Sequence, residues 1–160
     1  MDDMGSLSQS HSITLPRTVA SARPTANNQT FTGDTMPIDA KQPYDDQNIF
    51  AKILRGEIPS KTVMETDHSL AFHDINPLAP IHVLVIPKGP YVSWDDFTAK
   101  ASDLEIADFV RTVGEVARMT GADAQGYRVL SNSGKRSGQE VPHLHIHVFG
   151  GAPLGPMLAR

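Results

Sequence analysis

Apolar residues recur at helical spacing in two segments of the chain. Between residues 103 and 120 they form one stripe, and Ser102 with Glu105 makes the capping box that begins such a helix. Gly121 follows, where a glycine commonly ends a helix. A shorter helix is predicted after Asn48, a residue type that caps helices well, because the next apolar residues again share one face.

Other segments have the alternating or continuous apolar patterns of strands. These predicted strands are 61–66, 69–73, 81–87, 127–132 and 143–149. Most of these strands follow one another directly in the sequence, and the two helices do not alternate with them. The pattern therefore predicts an α+β fold, with an antiparallel sheet of about five strands and two helices.

The first part of the chain has a different composition. Residues 1–44 are rich in Ser, Thr, Pro, Asn and Gln and carry few large apolar side chains. Such a segment buries too little surface to offset its ordering entropy. We therefore expect 1–44 to be a disordered extension and 45–160 to form the single folded domain.

Composition and charge exclude several classes of function. The chain has no cysteine, which excludes disulfides, thiolate metal sites and cysteine nucleophiles. Its net charge of −4 argues against broad capture of nucleic acid, though not against binding one nucleotide in a pocket. No apolar run is long enough to span a membrane, and the acidic start lacks the features of a secretory signal. The expected location is the cytoplasm.

Three histidines alternate with aliphatic residues in the segment His143-Leu144-His145-Ile146-His147. Residues two apart in a strand share a face, so the three imidazoles are predicted on one side and the aliphatic side chains in the core. Imidazoles are costly as mere packing because each ring nitrogen needs a partner. From the residues alone, metal ligation, metal-free catalysis and a structural cluster all remain open.

The loop before this strand contains Gly134, Ser137 and Gly138, whose exposed backbone N–H groups are suited to cradling a phosphate. Asn132 and Gln139 flank it as possible neutral donors. Asp74 lies near a turn at the end of a predicted strand, where it is placed either as an acceptor for ribose hydroxyls or as an ordinary Asx turn.

These residues carry a family resemblance. The segment from His143 to Gly151 resembles the His-φ-His-φ-His-φ-φ signature of the histidine triad (HIT) family, where φ is an apolar residue. Two more blocks, 72–88 and 48–60, match the family in the same order, and together the blocks span about residues 45–155. The glycine pair after the triad is similar to the Hint-like branch, and the chain's last residues resemble bacterial members.

The resemblance implies a nucleoside phosphoramidase or related nucleotide hydrolase without a cofactor or metal. It implies that His145 is the nucleophile that forms a nucleotidyl-histidine intermediate. It assigns His143 and His82 to orienting it and His147 to binding phosphoryl oxygens. The implied nucleotide-binding residues are Asn132, Gly138, Gln139 and Val141 at the phosphate, Asp74 at the ribose, and Ile49, Phe50, Ile53, Phe72, Ile75 and Leu84 around the base.

The resemblance also implies a homodimer that takes a purine nucleotide such as an AMP conjugate, with no nucleic-acid or membrane partner. Glu140 departs from the serine of eukaryotic relatives, which leaves the protonation of the leaving group open. Two alternatives remain. One is a metal-dependent hydrolase with the three histidines as ligands, and the other is a nucleotide-binding adaptor with weak activity.

Overall fold

The computed structural model describes residues 38–158, and its elements form one sheet with helices packed beside it. The three α-helices are α1 (Ile49–Leu54), α2 (Trp94–Lys100) and α3 (Asp103–Met119). The five strands are β1 (Thr62–Glu65), β2 (Ser69–His73), β3 (Ile81–Pro87), β4 (Arg128–Leu130) and β5 (Ile146–Gly150). All neighbouring strands are antiparallel, in the order β1-β2-β3-β5-β4. The predicted α+β fold with a five-stranded antiparallel sheet is confirmed.

The helix ends follow the local sequence closely. Ser102 and Glu105 form a reciprocal capping box at the start of α3. The helix ends at Met119, and Gly121 adopts a left-handed φ of 72° just beyond it. The side chain of Asn48 accepts from two backbone N–H groups at the start of α1. These contacts satisfy backbone groups that a helix end leaves without partners.

The two faces of the sheet have different contents. On one face, Val83, Leu144, Ile146 and Val148 are buried in the main core with apolar residues of α3 such as Phe109. On the other, a smaller cluster packs residues of β2 and β3 against α1. Its buried members are Phe50, Leu70, Phe72, Leu84 and Ile86. This second face is the one that also carries the histidines.

Three elements differ from the sequence-based expectation. Helix α2 was not predicted, although Ser93 caps its first turn through the backbone N–H of Asp96. Strand β5 begins at Ile146 rather than 143, because the backbone N–H of Leu144 donates to Tyr91 outside the sheet ladder. Strand β4 ends early at Leu130, because the next residue bonds the sheet through its hydroxyl rather than its backbone.

No helix within residues 38–158 is long and apolar enough to cross a membrane.

Of the predicted extension 1–44, the structure describes only residues 38–44. The boundary between this extension and a domain at 45–160 stays a prediction.

Candidate functional site

The histidine segment leads into β5, which lies between β3 and β4, and it shows the alternation that its sequence predicts. His147 lies opposite Leu84 in the β3–β5 register, and His82 lies opposite Phe149. The interleaved Leu144, Ile146 and Val148 belong to the core beneath α3. His147 of β5 therefore shares the opposite face with His82 of β3, and His143 and His145 precede β5.

Hydrogen bonding fixes the tautomer of His145. Its Nδ1 lies 2.7 Å from the backbone carbonyl oxygen of His143. A carbonyl oxygen only accepts, so Nδ1 carries the proton and Nε2 keeps a free lone pair in the neutral ring. Every side-chain nitrogen that is buried among the described residues has a hydrogen-bond partner. Nε2 of His145 has no partner among these residues, so this atom is exposed to solvent.

His143 is held by two hydrogen bonds and is fully buried. Its Nε2 lies 2.9 Å from the carbonyl oxygen of Pro87 and must donate to it. Its Nδ1 then accepts from the hydroxyl of Tyr44, 2.6 Å away. Both ring nitrogens are occupied within the protein. Sequence reasoning missed Tyr44, and no local pattern marks it.

A one-directional chain of donors runs from β3 to β5. The backbone N–H of Leu78 donates to Nδ1 of His82 over 3.2 Å, so the proton of His82 is on Nε2. That N–H donates over 2.9 Å to Nδ1 of His147. The proton of His147 is consequently on its own Nε2, which is left as a donor. The histidines thus present one free lone pair, on Nε2 of His145, and one free N–H donor, on Nε2 of His147.

Burial keeps these rings neutral. It lowers the pKa of His145, partly offset by the hydrogen bond to the carbonyl of His143 and the charges of Glu140 and Asp74. The pKa values of His143 and His147 fall to about 4, mainly through burial and also through the neighbouring His145. Burial likewise lowers the pKa of His82, against the charge of Asp74.

Asp74 forms the Asx turn, which is one of the two roles that its sequence position suggested. Its Oδ1 accepts from the backbone N–H of Asn76 at 2.7 Å, which is an Asx turn. Its Oδ2 lies 3.5 Å from Nε2 of His82. The turn therefore fixes the carboxylate beside the histidines while the residue stays partly exposed.

A cavity of about 520 Å³ opens beside these residues. Its walls include eight residues that the family resemblance assigned to nucleotide binding: Ile49, Phe50, Ile53, Phe72, Asp74, Ile75, Leu84 and Val141. The walls also include residues not assigned in that way: Ile58, Pro59, Ser60, Lys61, His73, Asn76 and Glu140. The ring of Phe50 joins the cavity to the histidines, since its centroid is 5.3 Å from that of His145.

The glycine loop is braced from inside. The buried side chain of Gln139 accepts from the backbone N–H of Gly134 at 2.7 Å and donates to the carbonyl oxygens of Val92 and Val141. Its amide is thus engaged within the protein and shapes the loop. Gly138 is exposed and has a left-handed φ of 77°. Asn132 lies half-buried between β4 and this loop; among the described residues lining the cavity, none comes from 132–139.

The geometry separates two readings of the histidines. Within residues 38–158, the side chains close enough to share a metal ion are Asp74, His82 and His147, whose ligand atoms lie within 4.8 Å of one another. The predicted alternative used His143, His145 and His147 instead. His143 is unavailable as a ligand in this arrangement because hydrogen bonds engage both of its ring nitrogens.

Comparisons with known proteins identify a family and several relatives that carry the same domain. The HIT domain matches residues 55–154. An uncharacterized HIT-like protein of Azospirillum brasilense is 65% identical over 117 residues, covering 73% of this chain and 96% of that protein. The purine nucleoside phosphoramidase of Escherichia coli K12 is 40% identical over 115 residues, covering 72% and 96%.

Solved structures show the same fold. A histidine triad protein from Clostridium difficile has a TM-score of 0.61 and 42% identity, covering 69% of this chain and 95% of that one. A HIT family hydrolase from Clostridium thermocellum has a TM-score of 0.64 and 34% identity, covering 72% and 99%.

Proposed function

Since this chain belongs to the HIT domain family, we propose that it cleaves nucleoside 5′-phosphoramidates or related nucleotidyl esters through a covalent intermediate on His145. The observation that carries the proposal is the bond from Nδ1 of His145 to the carbonyl of His143. It leaves a neutral ring with a free lone pair on Nε2, which is what a nitrogen nucleophile needs. The phosphoramidase activity of the Escherichia coli relative supports the substrate class.

The chemistry proceeds in two displacements. Nε2 of His145 attacks the α-phosphorus, the phosphorus–nitrogen bond breaks, and the amine leaves after taking one proton from solvent. Water then attacks the phosphorus of the nucleotidyl-histidine, which releases the nucleoside monophosphate and restores the neutral ring. The Nε2–H of His147 donates to the phosphoryl oxygens, where negative charge concentrates in both transition states. The chain from Leu78 through His82 holds that donor in its tautomer.

The cavity supplies the nucleotide site in this proposal. Its apolar wall, with Phe50 and Phe72 in edge-on contact at 5.6 Å between centroids, receives the base. The carboxylate of Asp74 accepts hydrogen bonds from the ribose hydroxyls. The backbone around Gly138 receives the phosphate, in the loop shaped by Gln139. A purine nucleotide conjugate such as an AMP amine is the substrate that we propose.

We also propose that the chain forms a homodimer through β4 and α3. Strand β4 is at the edge of the sheet, and Val129 and Leu130 on it are about half exposed, at 46% and 41%. Val110 on α3 is 54% exposed. Apolar residues at an open sheet edge are suited to an interface. Sedimentation equilibrium is expected to give a dimer that Val129→Glu dissociates, and a wild-type monomer at all concentrations would contradict this.

Intact-mass analysis tests the reaction. After mixing with adenosine 5′-phosphoramidate, the protein is expected to gain the mass of one adenylyl group, and peptide mapping is expected to place it on His145. His145→Ala should show no adduct and no AMP release. His68→Gln is the matched control, because His68 lies in the turn between β1 and β2, and it should retain both. Full activity in His145→Ala would refute the nucleophile.

The same assay separates the two alternatives. A metal-dependent hydrolase is expected to lose activity when EDTA is added and to recover it with zinc, whereas the proposed reaction is unaffected. A nucleotide-binding adaptor is expected to bind AMP in calorimetry while forming no adduct and releasing no AMP from any phosphoramidate. Adduct formation in the presence of EDTA excludes both.

A further inference from the structure

Tyr44 contacts the histidines although it lies outside the residues that match the HIT domain. It precedes α1 and the HIT match at 55–154. Its hydroxyl nevertheless lies 2.6 Å from Nδ1 of His143, which is 99 positions away in the sequence, and the two rings meet edge-on at 5.4 Å between centroids. Burial raises the pKa of Tyr44, so the hydroxyl keeps its proton at neutral pH and can donate.

The direction of this hydrogen bond follows from the other side of the ring. Nε2 of His143 faces the carbonyl oxygen of Pro87 and must hold a proton. In the neutral ring Nδ1 is then an acceptor, and the Tyr44 hydroxyl is its donor. Phe50 also contacts the ring edge-on, at 6.1 Å between centroids. Tyr44 is thus the donor that the neutral form of this buried ring requires.

The backbone of His143 links this arrangement to the reaction. The residue whose ring is held at both nitrogens also provides the carbonyl that fixes Nδ1 of His145, at 2.7 Å. Movement of residue 143 would shift that carbonyl. The N–H at Nδ1 of His145 would then lose its acceptor, and the lone pair of His145 would no longer be held on Nε2.

We propose that Tyr44 is a positioning residue, which locks His143 in one tautomer and thereby holds the nucleophile His145 in its reactive tautomer. The part concerning His145 rests on the proposed function, whereas the part concerning His143 does not. Without the hydroxyl, Nδ1 of His143 is a buried acceptor with no donor. The ring is then expected to take up a proton more readily or to change its position.

Nitrogen NMR of histidine-labelled protein tests the first part without any substrate. In the wild type, Nδ1 of His143 should give the signal of an unprotonated nitrogen at neutral pH. In Tyr44→Phe, the titration midpoint of His143 is expected to rise by roughly one pH unit, since one unit corresponds to the loss of about one hydrogen bond. Tyr91→Phe is the matched control, because it likewise removes a tyrosine hydroxyl that is bonded within the protein, to Glu105 at 2.8 Å. It should leave the His143 signals unchanged.

Steady-state kinetics tests the second part. With adenosine 5′-phosphoramidate, Tyr44→Phe is expected to lower kcat roughly tenfold and to change KM by less than about twofold, because the substrate contacts remain. In a chain that already carries His143→Gln, the added Tyr44→Phe should change kcat by less than about twofold, since the partner is gone.

The outcomes are distinguishable. A His143 signal and midpoint that are the same in Tyr44→Phe as in the wild type overturn the proposal, whatever the activity. An altered His143 signal in a protein with no phosphoramidase activity supports the locking of His143 and counts against the proposed function instead. Equal kinetic effects of Tyr44→Phe and Tyr91→Phe overturn the positioning of His145, because a general loss of stability would then explain them.

Discussion

Acidification is expected to destabilise the fold well above the pH at which carboxylates titrate, and the buried His143 is one reason. This ring is fully buried, and burial lowers its pKa from 6.5 to about 4. In the unfolded chain the same group titrates near its ordinary pKa. Between the two values the unfolded state binds more protons than the folded state, so the free energy of unfolding falls as the pH falls. Above pH 6.5 the effect is absent.

The magnitude follows from the width of that window. Each pH unit below 6.5 lowers the free energy of unfolding by about 1.4 kcal/mol for one such group. Acidification from pH 7.5 to 5.0 therefore costs roughly 2 kcal/mol for His143 alone, a large part of the 5–15 kcal/mol typical of a domain. His147, with a pKa also lowered to about 4, acts in the same direction. Its ring is only partly buried, so its contribution is smaller.

Urea unfolding at pH 7.5 and 5.0 measures the effect. His143→Gln removes the titrating ring and is expected to reduce the loss between the two pH values by roughly 2 kcal/mol, or about 1 M urea in the midpoint. Tyr91→Phe serves as the control, since it weakens the core without removing a histidine and should lower stability by nearly the same amount at both pH values. The reasoning is refuted if His143→Gln loses as much stability on acidification as the wild type.

Other predictions concern the site itself. Asp74→Asn is expected to raise KM for adenosine 5′-phosphoramidate roughly tenfold with little change in kcat, because it weakens ribose binding; steady-state kinetics showing a loss confined to kcat would contradict this. Gly138→Ala is expected to lower stability by about 1 kcal/mol in thermal denaturation, because φ at this position is 77°, and an unchanged Tm would argue against strain. Glu140→Gln removes a charge that raises the pKa of His145, so the acid limb of the kcat/KM profile should move to lower pH rather than higher.

Much of the fold was predictable because its signals are local. The capping box at Ser102, the helical stripe after it and the continuous apolar run of β3 each occupy neighbouring positions. Helix α2 was missed because it has seven residues and only Phe97 is buried along it, so no stripe is visible. The ends of β4 and β5 were misplaced because their ladder bonds are replaced there by the hydroxyl of Ser131 and by other contacts outside the sheet.

The candidate site also has features that could be predicted from the sequence and features that could not. The triad and the apolar wall of the cavity follow from strand alternation and from the family resemblance, and the structure brings them together. The tautomers do not follow from either, because they depend on which carbonyl or N–H faces each ring, as with Pro87 and His143. Tyr44 is beyond sequence reasoning for a similar reason, since its partner lies far along the chain and a tyrosine after a proline has no characteristic pattern.

The alternation along the histidine segment also bears on how such a chain tolerates insertions and deletions. Odd positions from His143 to His147 carry the proposed chemistry, and even positions from Leu144 to Val148 fill the core. A one-residue deletion inside this segment would exchange the two sets on one side of the deletion, placing an imidazole in the core and an aliphatic side chain beside the cavity. Catalysis and stability would fail in the same step. Length changes are therefore expected to accumulate in the loops around the strand, while the segment itself changes only by substitution.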